Sequence, residues 1–566
     1  MTEMVPSCKS DFTRLPDKSS SSKECSKILE VGNFGRRTQV YGKEECRDSG
    51  IILHQNNLLY HEQQPLSGFV GFDDLSVRLV SQFPSCHDDC IKLTNIQAEI
   101  FNLLSEKETV TSPASFEILE NPGSKCSQRS SKKLHETSCS EVGGAVLSTT
   151  EIIWLAGEKF IQSSSLGVYD FLELDLSSST FSLGPDNKER DVDVIKHLLA
   201  SAEKVDEEQF DRAIVLLNQC DEYACAEGNP IQRLVYYFTK ALRARIDLKT
   251  GRLTSKYRGK MKSVEIKNKI QYPNPTSIAF SKHAPFSQVV HFTGVQVILE
   301  AVAEAKRIHI VDLEIGIGVQ FSSLIQALAS RHECPVEHLK ITAVGTKSKS
   351  DIEKTGVWLE TFALSMNLSF SFNVVMVSDM LDLDASLFEL NSNESLAVYS
   401  PFLLWTMIFQ QDRLECLMKV IRSINPCVIY IAENEANINS AVFVNRFTEA
   451  LFYYGAYFDC LENCLSDDPA RNILESINYG RAIENILMAE KEERRTRYVK
   501  VNVWKTFFTR FNMVETQLST YSVYQARLVT KNIAGGSSCS LHMDGKSLIV
   551  GWKGTPLVSL SVWKFK

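Results

Sequence analysis

Two rhythms of apolar residues divide this chain. From 190 to about 246 they recur at helical spacing. Val194, Ile195, Leu198, Leu199 and Ala202 make one face, and Phe210, Ala213, Ile214 and Leu217, with Leu216 beside them, make a second. Ile231, Leu234, Val235, Phe238 and Leu242 make a third, with Asn229-Pro230 as its start signal. This spacing predicts a module of three helices. Beyond 307, short apolar runs alternate with helical stretches. The sharpest case is Ile308, Ile310, Val311 and Leu313, then Gly316 and Gly318, then Phe321, Leu324, Ile325 and Leu328. That pattern is a buried strand, a glycine turn and a helix.

Strands are predicted at 307–314, 339–345, 369–377, 395–401 and 427–432. Helices fall at 320–331, 351–366 and 411–424, with a looser helical stretch near 383–390. A long helix at 440–463 and a charged helical region to about 511 follow. Ser547 to Trp552, a Gly554-Thr555-Pro556 turn and Leu557 to Phe565 close the chain as an antiparallel hairpin. Strands alternating with helices imply parallel pairing through right-handed crossovers. The expected fold is therefore α/β and Rossmann-like: a mostly parallel sheet of class I methyltransferase type, with a terminal hairpin and a helical cap. Trp552 and Trp563 are expected to close that fold.

The first 145 residues break both rhythms. Serine clusters at 19–22 and 127–131 and isolated charges predict a mostly disordered arm. Apolar islands at 51–59, 69–83 and 96–104 read as transient helices or as short docking segments. Residues 146–189 read as a helix at 149–162, with Ile152, Ile153, Leu155, Ala156 and Phe160 on one side, and a Ser-rich acidic connector. A connector and a helix fill 247–306.

Composition narrows the function. The 566 residues are 44% hydrophobic and 23% charged with a net charge of -8, which excludes a generally basic nucleic-acid coat. No apolar run approaches the ~20 residues of a membrane span, and Met1 to Arg14 lacks a secretory h-region. The 15 cysteines read as reduced thiols. Cys86-His87-Asp88-Asp89-Cys90 lacks a second ligand pair, and Cys460 and Cys464 read as core thiols, so no metal site is assigned. The run 491–497 mixes signs as solvated helices do. The strip Lys256, Arg258, Lys260, Lys262, Lys267 and Lys269 is the candidate nucleic-acid or nuclear-import contact, with a solvated linker as its alternative.

The glycine turn poses the catalytic question. A dinucleotide-like or S-adenosylmethionine site needs close backbone approach at the first turn, a carboxylate after the second strand and an orienting group near the fourth. Glu314, Gly316 and Gly318 meet the first need. Gly345-Thr346-Lys347 supplies no carboxylate, and Tyr399-Ser400-Pro401-Phe402 only partly resembles an acceptor loop. Asp312 and Glu314 read as turn-stabilising carboxylates, and His309 as a satisfied core histidine. No catalytic residue and no cofactor is assigned. A methyltransferase or a small-ligand binder on a surviving pocket is the rival reading.

Five blocks in order carry a family resemblance. Ile308-His309-Ile310-Val311-Asp312 resembles the VHIID signature of the plant GRAS transcription regulators, with the helical module as the leucine-rich region before it. Pro426 opens a PFYRE-like block that continues through Glu433 to Asn439 and Arg446-Phe447 to Tyr453. Its RE arginine falls on Arg481, followed by Ala482 instead of glutamate. Ser561-Val562-Trp563 is similar to the SAW block. The arm lacks the Asp-Glu-Leu-Leu-Ala stretch of the DELLA branch, and the 396–402 segment departs from the family pattern. The resemblance covers 190–566 and implies a non-catalytic nuclear regulator. Its implied partners are other GRAS proteins, as homo- or heterodimers, and DNA-binding transcription factors, with DNA met directly or through them. Leu198, Leu199, Leu216, Leu217, Leu234 and Phe238 are its candidate partner contacts.

Overall fold

A computed structural model describes residues 147–165, 187–252, 281, 284–346, 348–466, 469–533 and 535–566. The N-terminal arm and its islands, the Cys86–Cys90 cluster, the 166–186 connector and the basic strip lie outside the described residues.

The cap is built from α1 (Thr149–Ser165), α2 (Asn187–Asp206), α3 (Phe210–Asp221) and α4 (Pro230–Lys249). Helix α4 starts where the sequence placed it. The Gln232 N–H donates to Asn229 Oδ1 at 2.9 Å and the Asn229 N–H to Gln232 Oε1 at 3.0 Å, with Pro230 at the first turn. The apolar faces of these helices meet one another and a later helix, α9 (Phe443–Leu465). Helix α5 (Pro285–Ala301) then leads into the sheet.

The parallel part comprises β1 (Arg307–Asp312), β2 (His338–Gly345), β3 (Phe370–Met376), β4 (Ser395–Pro401) and β5 (Val428–Asn434). Their spatial order is β3-β2-β1-β4-β5. All four pairings are parallel, joined across α6 (Gln320–Ala329), α7 (Lys349–Ser365) and α8 (Gln411–Ile424). The looser stretch near 383–390 holds a 3-10 turn at Ala385–Phe388, preceded by another at Met380–Asp382. Asp379 accepts from the Leu381 N–H at 3.1 Å and Asp384 from the Ser386 N–H at 2.9 Å, capping each start.

The closing strands β8 (Ser547–Trp552) and β9 (Thr555–Phe565) form the expected hairpin, and β9 runs antiparallel to β5. The structure adds two strands that the periodicity missed, β6 (Met513–Thr516) beside β9 and β7 (Cys539–Asp544) beside β8. Both are short, and neither buries an alternating apolar face. The charged helical region expected to about 511 consists of several short elements. Helix α9 ends, then α10 (Pro469–Ile473), a π-turn at Leu474–Tyr479, α11 (Gly480–Met488), an irregular stretch and α12 (Val501–Thr509) follow. A further helix, α13 (Thr520–Asn532), packs on α5.

Two apolar layers flank the sheet. One holds Val311, Leu313, Val398, Ile429, Ile431 and Trp563 against α8 and α12. The other joins Ile308, Ile310, Ala397, Tyr399 and Trp552 to the cap residues in one continuous core. Both indoles are nearly sealed from water. Trp552 Nε1 donates to Asp459 at 2.6 Å and Trp563 Nε1 to Ser561 Oγ at 2.9 Å. Ser561 thereby orients the tryptophan two residues on.

That core corrects the partner-contact assignment. Leu198, Leu199, Leu216, Leu217, Leu234 and Phe238 are all buried within the chain, and Phe238 packs edge-on to Phe447 at 5.4 Å. Burying such side chains inside the fold gains about 1.5–3 kcal/mol each, and the same area is not offered to a partner. Among the described large apolar side chains of α1 to α4, only Val215 is exposed.

Candidate functional site

The glycine turn sits at the carboxyl end of β1, where open α/β sheets place their ligands. Gly316 and Gly318 have φ of +55° and +69°, which other residues adopt only with strain. A Cβ on Gly318 would stand 2.6 Å from Thr355 Cγ2, whereas the Cβ position of Gly316 is open. Helix α7 covers the rest of the turn. Thr355 Oγ1 donates to Gly316 O at 3.1 Å, and Trp358 Nε1 donates to Ile317 O at 3.2 Å. Ile352 of the same helix lies against Gly345, at the end of β2.

Asp312 lies at the base of this turn with no exposed surface. Its Oδ1 accepts from the Glu314 N–H at 2.8 Å and its Oδ2 from Gln320 Nε2 at 3.3 Å. Burial raises its pKa to about 8 against the pull of these hydrogen bonds, so near neutrality the group holds a proton. These hydrogen bonds tie Asp312 to the turn and to the start of α6. Glu314 instead lies on the surface. Gln320, where dinucleotide turns carry a third glycine, ties the helix start back to Asp312.

The neighbouring motif residues serve packing. His309 has no exposed surface, and its Nε2 pairs with Thr342 Oγ1 at 2.8 Å. Desolvation, helped by Lys340, lowers its pKa to about 4, so the 3.3 Å approach of Nδ1 to Glu394 is not an ion pair near neutrality. Tyr399, at the fourth strand, stacks on Tyr430 at 5.4 Å and meets Phe321 edge-on at 5.7 Å. Its ring therefore belongs to the core and not to an acceptor loop.

A second polar cluster fastens the cap to the sheet domain. Arg446 is sealed in α9. Its Nε donates to Ile486 O at 2.9 Å, its Nη1 to Ser440 O at 2.9 Å and its Nη2 to Glu490 Oε1 at 3.0 Å. Glu490 also receives Arg245 Nη1 from α4 at 2.7 Å. Arg233, equally sealed, contacts Glu475 in the π-turn at 2.9 Å and Glu462 in α9 at 2.9 Å. Burial pushes Glu475 up to about 7, while Arg233 pulls it back. Tyr453 Oη donates to Asn434 Oδ1 at 2.8 Å, joining α9 to the end of β5. Pro426 is buried just after Asn425, whose φ of +47° ends α8, and Arg481 is half-exposed on α11.

Sequence reasoning missed the roles of Glu433 and Glu435. Glu433 accepts from the Leu404 N–H at 2.7 Å, and Glu435 from the Val501 N–H at 2.8 Å, at the start of α12. Burial raises them to about 8 and about 7. Their signal was available: Glu433 ends the apolar run Val428 to Ala432 within β5, and Glu435 stands two residues on.

With this architecture in view, the comparisons identify the class. The GRAS domain family model matches residues 194–564, and the chain belongs to that family of plant transcription regulators, which are not enzymes. Among relatives, DELLA protein RGL1 of Arabidopsis thaliana is 29% identical over 394 residues, 69% of this chain and 74% of its own. DELLA protein 2 of Medicago truncatula is also 29% identical, over 67% of this chain and 68% of its own. The crystal structure of SCL7 from Oryza sativa superposes with a TM-score of 0.56 at 27% identity, covering 66% of this chain and 99% of that one. Identity at this level does not resolve the branch within the family. No described helix is long and apolar enough to cross a membrane.

Proposed function

We propose that this protein regulates transcription in the nucleus by associating with other GRAS proteins and with DNA-binding transcription factors. The observation that carries the reading is the family match over 194–564, which runs from within α2 of the cap through the sheet domain. The glycine turn supports it, because α7 already uses the Gly316 and Ile317 carbonyls. Asp312, Glu314, Gly316 and Gly318 act in this reading as scaffold. The Lys256, Arg258, Lys260 and Lys262 strip serves as the nucleic-acid contact, alone or beside a partner's DNA-binding surface.

The test is capture of nuclear partners by the full chain. Truncating 190–246 would open the core and prove nothing. Recovery of GRAS proteins or DNA-binding factors is expected. Absence from nuclei together with capture of neither class overturns the proposal. Calorimetry with S-adenosylmethionine should give no binding heat; tight binding lost in Gly316→Val would restore the methyltransferase reading.

A further inference from the structure

Eight cysteines fall among the described residues, and three of them gather at one place. Cys460 and Cys464 stand one turn apart near the end of α9, with their sulfurs 4.0 Å apart. Cys539 opens β7 and lies opposite Trp552 of β8 in the strand register. Directly opposed residues of an antiparallel pair share one face, with Cβ atoms ~4.5–5.5 Å apart. The turn before β7 brings the third thiol to that pair. A Cβ on Gly535, whose φ is +72°, would stand 3.0 Å from Cys464 Sγ and 3.2 Å from the Trp552 ring. Cys464 is therefore wedged between α9, the Gly535 turn and the indole across from Cys539.

The three thiols have different surroundings. Cys460 has no exposed surface, and burial holds its proton in place. Cys464 and Cys539 are only half-buried, so small solutes reach both. The hydrogen bond from Cys460 holds the Cys464 thiol below its ordinary value, against burial and the Asp459 charge. Burial and the neighbouring Cys464 push Cys539 up to about 12. The thiolate is the reactive form of cysteine, so Cys464 is the nucleophile of the cluster.

Cys460 is a close sulfur but a poor disulfide partner. Residues i and i+4 of a helix hold their Cβ atoms ~5–6 Å apart. A disulfide needs them at ~3.5–4.5 Å, so a bridge from Cys460 to Cys464 would break the last turn of α9. Cys539 approaches from another element and carries no such constraint.

We propose that Cys464 is a hydroperoxide-reactive thiol and Cys539 its resolving partner, so that oxidation ties the end of α9 to β7. The Cys464 thiolate attacks one peroxide oxygen; an S–O bond forms, the O–O bond breaks and hydroxide leaves. Sulfur loses two electrons, and the peroxide takes them. The Cys539 sulfur then attacks the sulfenic sulfur; the S–S bond forms, the S–O bond breaks, and the leaving hydroxide takes the Cys539 proton as water. The bridge forms where α9 already grips the closing strands, because Asp459 accepts from Trp552 Nε1 at 2.6 Å and pairs with Lys553 Nζ at 2.7 Å.

Brief exposure of the full chain to hydrogen peroxide, followed by dimedone and peptide mass spectrometry, tests the assignment. The unchanged chain should carry a Cys464–Cys539 disulfide that dithiothreitol removes. Cys539→Ser should instead accumulate the dimedone adduct on Cys464. Oxidation of Cys464 should outrun that of Cys225, which is exposed on the cap, by about tenfold or more. Equal rates at the two, a Cys460–Cys464 bridge or an unmodified Cys464 overturns the proposal. If Cys539→Ser fails to fold, as circular dichroism would report, the bridge mapped in the unchanged chain decides alone.

Discussion

The glycine turn and the cap clamp are both buried and polar, yet they are stabilised by opposite means. At the turn, one carboxyl sits among backbone and amide donors, with no cation among its described partners. Under the cap, Arg233 and Arg446 are sealed from water and tied to Glu475, Glu462 and Glu490. A neutral network tolerates a neutral replacement. An ionic one does not tolerate losing a single partner, because the other charge is left buried without compensation. The turn, which looks like an active site, should be the more forgiving of the two.

The largest effect should come from the clamp. Arg233→Ala leaves Glu475 without its main partner and should cost ~3–5 kcal/mol, read from urea unfolding midpoints. A loss below ~1 kcal/mol would place the cap's anchorage in apolar packing alone. Asp312→Ala strips the acceptor from the Glu314 N–H and from Gln320 and should cost ~1–3 kcal/mol. Asp312→Asn, which keeps the shape and mimics the protonated acid, should cost much less. Equal losses in the two would show that Asp312 works as a charge.

The pH dependence sharpens the same contrast. Asp312 and Glu433 hold protons in the folded chain up to about 8, whereas the unfolded chain releases them from about 4. Over that window the folded state binds more protons, so stability falls as pH rises and levels off above about 8. Asp312→Asn should flatten that slope when unfolding is followed from pH 5 to pH 8. An unchanged slope would assign the effect to Glu433 and Glu435. The smallest effect belongs to Thr355→Val, which removes one hydrogen bond to Gly316 O and should cost about 1 kcal/mol. If it instead confers ligand binding at the turn, α7 is a lid and not a wall.

The turn was legible in the sequence because strand, glycine and helix signals are local. Five parallel strands and the closing hairpin were read for the same reason. The clamp was not legible: Arg233 and Glu475 are 242 positions apart, and neither breaks its own helical pattern. Arg446 stood in a block of the family resemblance and gave no hint that it shares Glu490 with Arg245. The cap leucines failed in the other direction. Periodicity showed a stripe that must be covered, and could not show that the stripes of α2, α3, α4 and α9 cover one another. Strands β6 and β7 escaped because short, half-exposed strands carry little alternation.

Sharing Glu490 between Arg245 of α4 and Arg446 of α9 has a consequence for how the molecule can be cut. A fragment beginning at 307 would resemble a complete methyltransferase fold, yet it would keep Glu475 and Glu490 while losing Arg233 and Arg245 of α4. Limited proteolysis should therefore find no stable intermediate corresponding to the sheet domain alone. The helices in front of the sheet share its core and its ion pairs, so the two should unfold together.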